Sequence, residues 1–309
     1  MAASGSASGL LTTLSDELAG AVERAGQAVV SVDARRQRPA SGIVWPAGTG
    51  IVVTADHVVE REEDISVILP NAQKVAATLA GRDPGSDLAV LRLAGSTPAP
   101  APAELAPADS VKIGHLVLAL GRPGGSTMAS FGIVSALGGP WRTERGGVVA
   151  GYVRGDVTLF PGFSGGPLID TQGRVVGLNS WHLAHGQELA IPAQAVGAIV
   201  QTLLTQGRVR RAYLGVTSQP VRLPAALRQA LSIPQTKGLM VVGVEAGSPA
   251  EKGGLTLGDV LIGVAGQTIE DAEDLQAALG PATVGQVTSI VVVRGGERKE
   301  LAVTPGERA

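Results

Sequence analysis

From Ala28 to Leu178 the chain is divided into short apolar runs, most too brief to make a helix. They are Ala28–Val32, Gly50–Thr54, Ile65–Leu69, Val75–Leu79, Leu88–Leu93, Leu116–Leu120, Ile133–Leu137, Val148–Val153, Leu168–Ile169 and Val175–Leu178. Gly, Pro or Asp clusters bound most of them. That spacing, with almost no helical period between the runs, predicts a mainly β region closed as a barrel or a sandwich. Apolar residues make up 44% of the chain and aromatics only 3%, so Val, Leu, Ile and Ala must build the core. The 43 glycines and 19 prolines supply the turns that many short strands require.

Helical spacing occurs at two places in this first half and its end. Leu10, Leu11, Leu14, Leu18, Ala21 and Val22 predict a helix over 10–25, with Ser15 and Asp16 placed to cap a turn within it. Val196, Ile199, Val200, Leu203 and Leu204 predict another over 192–206, opened by Pro192. The Pro/Ala-rich stretch Thr97–Pro107 reads as a surface connection between two halves of one domain. The loop between Val32 and Gly48 reads as short. A polar, glycine-bearing hinge at 206–211 then leads to a second unit. Strands are expected there near Gly238–Val244, Val260–Val264, Ser289–Val293 and Lys299–Val303, with helices at Pro249–Gly253 and Ala272–Leu279. The expected divisions are an N-terminal helical segment at 1–27, a first domain at 28–207 and a second at 212–306.

Composition excludes several classes. A formal net charge of -2 gives no support for a nucleic-acid or anionic-membrane partner. The chain has no cysteine, which excludes disulfides, thiol catalysis and Cys-type zinc sites. No apolar run is long enough to span a membrane. Met1 to Gly20 lacks the basic start and apolar core of a secretion signal, and Asp16, Glu17 and Glu23 add charge. The simplest expectation is a cytoplasmic protein, with a periplasmic or extracellular one as the alternative if the sequence has been trimmed.

The chemistry centres on Gly162-Phe163-Ser164-Gly165-Gly166. It places a serine in a glycine-flanked turn, where backbone N–H groups can approach a reacting carbonyl. His57 stands at the end of the strand-like Ile51–Ala55, and Asp87 opens the strand-like Leu88–Leu91. An imidazole that takes the serine proton, oriented by a carboxylate, makes the serine a nucleophile. The chain order His57, Asp87, Ser164 is that of the chymotrypsin type.

The blocks Thr54-Ala55-Asp56-His57-Val58-Val59, Ser86-Asp87-Leu88-Ala89-Val90-Leu91 and Pro161-Gly162-Phe163-Ser164-Gly165-Gly166-Pro167-Leu168 resemble the three catalytic blocks of the HtrA/Deg serine proteases. Gly121-Arg122-Pro123-Gly124, Gly132–Leu137 and Ala190-Ile191-Pro192 extend the likeness. The resemblance implies a chymotrypsin-like double β-barrel over 28–207 and an oxyanion hole made by the N–H groups of Gly162 and Ser164. It implies no cofactor, and unfolded or damaged proteins as substrates. Tyr213-Leu214-Gly215-Val216 resembles the carboxylate-binding loop of a PDZ domain over 212–306, which implies C-terminal peptides as ligands. Relatives of this kind form homotrimers, which is the assembly expected.

The likeness departs at Phe160 and Phe163, where members of the family usually carry Asn. These rings either pin the turn and form a subsite, or fill core gaps beneath it. Counting six residues back from Ser164 puts Thr158 at the base of the primary pocket, with Leu159, Leu189 and Ala190 as apolar wall. That predicts small or medium aliphatic residues before the cut. Ser180 and Trp181 resemble the strand that pairs with substrate backbone, or are structural. His182 and His185 read as a surface loop rather than a metal site, and His115 as structural. The alternative to a protease is a peptide-binding chaperone or scaffold with little turnover.

Overall fold

The computed structural model describes residues 4–95, 100–143, 147–184, 187–210, 212–280 and 283–307. The chain divides into two compact units, residues 1–209 and 210–309.

The first unit opens with helix α1, Ser4–Gly26. It runs straight through Ser15 and Asp16, so these residues cap nothing. Its C-terminal end is anchored, with Ala21 and Ala25 buried, while Leu10, Leu11 and Leu14 are exposed. A six-stranded closed barrel follows, from β1 (Val29–Asp33), β2 (Ala40–Val44), β3 (Ile51–Ala55), β4 (Ile65–Ile68), β5 (Lys74–Asp83) and β6 (Leu88–Leu93). Its order is β1-β2-β3-β6-β5-β4. The residues of β2 and β3 are all buried, and β5 alternates buried Val75 and Ala77 with exposed Lys74, Ala76 and Thr78.

The strand β2 lies inside the stretch read as a loop. Ser41 and Gly42 conceal it, because neither is a strand former. Gly42 is required by packing: a Cβ there would stand 2.9 Å from both Val32 Cγ2 and Val52 Cγ1. Residues 100–107 are likewise no free connection. Ala103 N–H donates to Val44 O and Ala106 N–H to Val175 O, and both alanines are buried.

A second six-stranded barrel is built from β7 (Leu116–Gly121), β8 (Met128–Gly138), β11 (Tyr152–Gly155), β12 (Pro167–Ile169), β13 (Val175–Ala184) and β14 (Gln187–Pro192). Its order is β11-β14-β13-β12-β7-β8. A two-stranded ribbon of β9 (Trp141–Arg142) and β10 (Val148–Val149) stands off it, so the expected run Val148–Val153 is divided between two sheets. Helix α2, Ala193–Gln206, buries Ala193, Ala195, Val196, Val200 and Leu203, and ends at Gly207 in the left-handed conformation. The mainly β double barrel expected from the sequence is the fold observed.

The second unit pairs β15 (Ala212–Tyr213) with β22 (Gly306–Glu307). Its main sheet holds β16 (Val216–Arg222), β17 (Lys237–Val244), β18 (Val260–Val264), β20 (Thr288–Arg294) and β21 (Glu297–Val303), with β19 (Gln267–Thr268) hydrogen-bonded to β18. Strand β16 is at one edge. Among the described residues the unit also holds three short helices: α3 (Ala225–Leu231), α4 (Pro249–Lys252) and α5 (Ala272–Ala278).

Candidate active site

Strand β3 ends at Ala55 and the chain enters a 3-10 turn, Asp56–Val58, that carries His57. The turn is clamped from β5. Arg82 Nε donates to Asp56 Oδ1 at 2.6 Å, and its NH2 group donates to Val59 O at 3.1 Å. Burial alone would lower the Arg82 pKa, but the bond to the buried Asp56 carboxylate more than offsets it and raises it.

Asp87 stands just before β6 with φ +56, a conformation that non-glycine residues seldom adopt. The backbone there is fixed from both sides. Asp56 N–H donates to Asp87 O at 3.1 Å, and His57 N–H donates to Asp87 Oδ1 at 2.9 Å. The His57 ring reaches the same carboxylate, with Nδ1 at 2.8 Å from Oδ2. Ser180 Oγ, from β13, donates to Oδ2 at 2.5 Å. Burial pushes the Asp87 carboxyl pKa up. The hydrogen bonds from His57 and Ser180, with the charge of the imidazole, outweigh that and hold it below the usual carboxylate value.

Ser164 follows a tight turn. Phe163 N–H donates to Phe160 O at 2.9 Å, with Pro161 at the second position and Gly162 at the third, φ +92. This is the residue pattern of a type II turn, and only glycine takes its third position without strain. Space enforces the same choice, because a Cβ on Gly162 would lie 2.4 Å from Pro123 Cβ. The turn is held between the barrels. Ser41 Oγ donates to Gly162 O at 2.6 Å and accepts from Arg122 N–H at 2.8 Å, while Gly165 N–H donates to Asn179 O. Neither Gly162 N–H nor Ser164 N–H donates to another described residue. Trp181 N–H approaches Ser164 Oγ at 3.4 Å. No hydrogen bond joins His57 to Ser164 among the described residues, and catalytic bonds of this kind commonly tighten only when substrate is bound.

His57, Gly162 and Ser164 line one open cleft of about 750 Å³, together with Arg35, Gln37, Arg38, Leu159, Phe160, Pro161, Trp181 and His182. The pocket expectations need correction. Thr158 is exposed and is not among the residues that line the cleft, and its carbonyl accepts from Ser130 Oγ. Strand-like alternation explains this, since Val157 and Leu159 on either side are buried. Leu189 and Ala190 are core residues, 3% and 2% exposed, and line no part of the cleft. The Ser180 side chain supports Asp87. Leu159 and Trp181 are among the residues that line the cleft. Phe163 is fully buried, whereas Phe160 is 40% exposed in the cleft, and the two rings meet edge to face at 5.4 Å.

His182 overturns its reading as part of a plain surface loop. It lies on β13, and its ring stacks on that of His57 with centroids 4.2 Å apart. His185 lies outside the described residues. Sequence reasoning also passed over Ser41 and the Arg35–Arg38 loop. The supporting block at Arg122 was the one signal that led toward Ser41.

In the second unit Leu214 is buried and Gly215 has φ +83. Gly215 O accepts from Glu245 N–H, and the Tyr213 hydroxyl donates to Glu245 Oε2. The N–H groups of Leu214 and Gly215 donate to no other described residue. Val216 begins the edge strand β16.

Residues 40–178 match the trypsin-like peptidase domain family, and residues 212–304 match the PDZ domain family. A solved HtrA-type protease, AlgW with tripeptide, is 31% identical over 94% of this chain and 97% of its own, with TM-score 0.71. The chain belongs to the HtrA-type protease family. The serine endoprotease from Yersinia pestis has TM-score 0.75 at 27% identity, covering 94% of this chain and 98% of its own. A probable periplasmic serine endoprotease, DegP-like, from Ectopseudomonas mendocina (strain ymp) is 36% identical over 88% of the HtrA-type chain and 58% of its own length. Its counterpart in Halomonas elongata is 33% identical over 84% and 54%. The chain thus spans a little under three fifths of the curated relatives it matches. Their names also correct the expectation of a cytoplasmic protein, because they are called periplasmic.

Proposed function

We propose that this chain is an ATP-independent serine endopeptidase acting on unfolded or damaged proteins. The observation that carries the reading is the bond of His57 Nδ1 to the buried Asp87 carboxylate in the cleft that also holds Ser164. In this reading Asp87 keeps the proton on Nδ1, so Nε2 takes the Ser164 proton as Oγ attacks the substrate carbonyl. Negative charge then develops on the carbonyl oxygen. In this reading the N–H groups of Gly162 and Ser164, which donate to no other described residue, receive it, each worth about 2.7–4 kcal/mol in such sites. His57 returns the proton to the leaving amine, and water releases the acyl group from Ser164.

Leu159, Phe160 and Trp181 give the cleft an apolar wall, which supports small or medium aliphatic residues before the cut. In the second unit the loop Tyr213-Leu214-Gly215-Val216 and the open edge of β16 suit the capture of a C-terminal peptide, whose strand adds to the sheet. A homotrimer is the assembly the family likeness supports, and light scattering tests it. The chaperone alternative gains no support from the relatives.

Casein hydrolysis and labelling by a fluorophosphonate test the central claim. Both should be lost in Ser164→Ala, hydrolysis by about 10⁴-fold or more. Casein cleavage that persists in purified Ser164→Ala would sink the reading.

A further inference from the structure

The loop joining β1 to β2, residues 34–39, carries Arg35, Arg36 and Arg38. Arg35, Gln37 and Arg38 line the cleft beside His57, Gly162 and Ser164, and His182 adds a second imidazole. Among the described residues, no carboxylate lines it. Asp87 is buried beneath, bonded to His57 and Ser180. Arg35 donates to the carbonyls of Arg38 and Pro39, which fixes the shape of the loop. Glu60 faces the loop, accepting from Arg36 N–H at 3.3 Å. Arg38 is exposed and has no carboxylate partner among the described residues.

The position of this loop relative to the cut follows from the contacts of the nucleophile turn. Strand β13 meets Ser164 on one side, through Trp181 N–H on Oγ and Asn179 O on Gly165 N–H. The start of β2 meets it on the other, with Ser41 Oγ on Gly162 O and Ser41 N–H on Ser164 O. A substrate whose acyl part lies along β13 therefore carries its leaving part toward Arg35 and Arg38.

We propose that this side of the cleft selects acidic segments, with Asp or Glu in the first residues after the scissile bond drawn to Arg38 and Arg35. The proposal rests on the serine-peptidase reading of the same site and names its substrate class. Exposed charge pairs of this kind add specificity more than raw affinity, and salt screens them.

The test uses two peptides identical through a valine at the cut and followed by Asp-Asp or by Lys-Lys. A valyl p-nitroanilide, which has no residue after the cut, accompanies them. The full chain should favour the acidic peptide in kcat/KM by on the order of three- to tenfold at low salt. The preference should narrow as salt is raised, flatten in Arg38→Ala and reverse in Arg38→Glu. Equal rates for both peptides, with the anilide cleaved, overturn the acidic selection alone. A preference that survives both Arg38 variants overturns its assignment to this loop. Failure to cleave any of the three overturns the peptidase reading beneath it.

Discussion

Ser180 Oγ donates to Asp87 Oδ2 at 2.5 Å, so the carboxylate facing His57 is also held from β13. A hydrogen bond to a charged group of this kind is worth about 1.5–3 kcal/mol. Ser180→Ala should lower the unfolding free energy by about that amount at neutral pH, and Ser180→Thr should recover part of it. The sign with pH follows from the depressed pKa of Asp87. Its contribution is fully present above the ordinary carboxylate value and is lost as pH falls through the lower folded value. Denaturation of wild type and Ser180→Ala should therefore converge in acid. A gap that stays constant into strong acid would count against the assignment.

The two phenylalanines of the nucleophile turn do different work. Phe163 is fully buried, and its Cδ1 lies 2.5 Å from where a Cβ on Gly121 would stand. Phe163→Ala should cost about 3–5 kcal/mol, because the ring leaves a cavity under the turn. Phe160 is exposed at the cleft and touches Phe163 only edge to face. Phe160→Ala should cost no more than about 1 kcal/mol, and should act on KM for peptides. Thermal melts combined with kcat and KM on one peptide separate the two. A large loss of stability in Phe160→Ala would contradict the division.

The sequence made the site legible where local motif and local geometry coincide. His57 at a strand end, Asp87 at a strand start and Ser164 in a glycine turn are each set by residues within a few positions of themselves. It failed where the third dimension decides. Counting back from Ser164 puts Thr158 at the pocket base, but the structure leaves it exposed and outside the cleft lining, between buried Val157 and Leu159. Strand β2 stays hidden because Gly42 answers to Val32 and Val52 on the flanking strands β1 and β3 rather than to its neighbours in sequence. His182 read as loop, since nothing in one dimension reveals that β13 continues past Trp181 and sets its ring on His57.

That stack gives His57 a wall on one face. Aromatic pairs contribute roughly 0.5–1.5 kcal/mol beyond their burial. His182→Ala should therefore lower kcat by roughly two- to tenfold, with the melting temperature almost unchanged because the residue is exposed. His182→Phe keeps a ring at the position and should retain most of the rate. Wild-type kcat in His182→Ala would show that the contact does not position the imidazole.

In the second unit Asp259 is fully buried and receives Arg294 Nε on Oδ1 and the Arg294 NH2 group on Oδ2, both at 2.7 Å. Thr256 N–H donates to the same carboxylate at 2.8 Å. Burial raises the Asp259 pKa, but the bonds from Arg294 and Thr256 outweigh it and leave the pKa lowered. Arg294→Ala leaves a buried carboxylate short of its fork, and should destabilise this unit by about 2–3 kcal/mol near neutral pH. Arg294→Lys keeps the charge but loses the two-pronged geometry, so it should fall between. The stabilisation is present above the ordinary carboxylate value and is lost as pH falls through the depressed one. Hydrogen exchange on β18 and β20 of the full chain reads this directly. Faster exchange in Arg294→Ala at neutral pH, with the difference closing in acid, is the expected result, and equal protection at neutral pH would refute it.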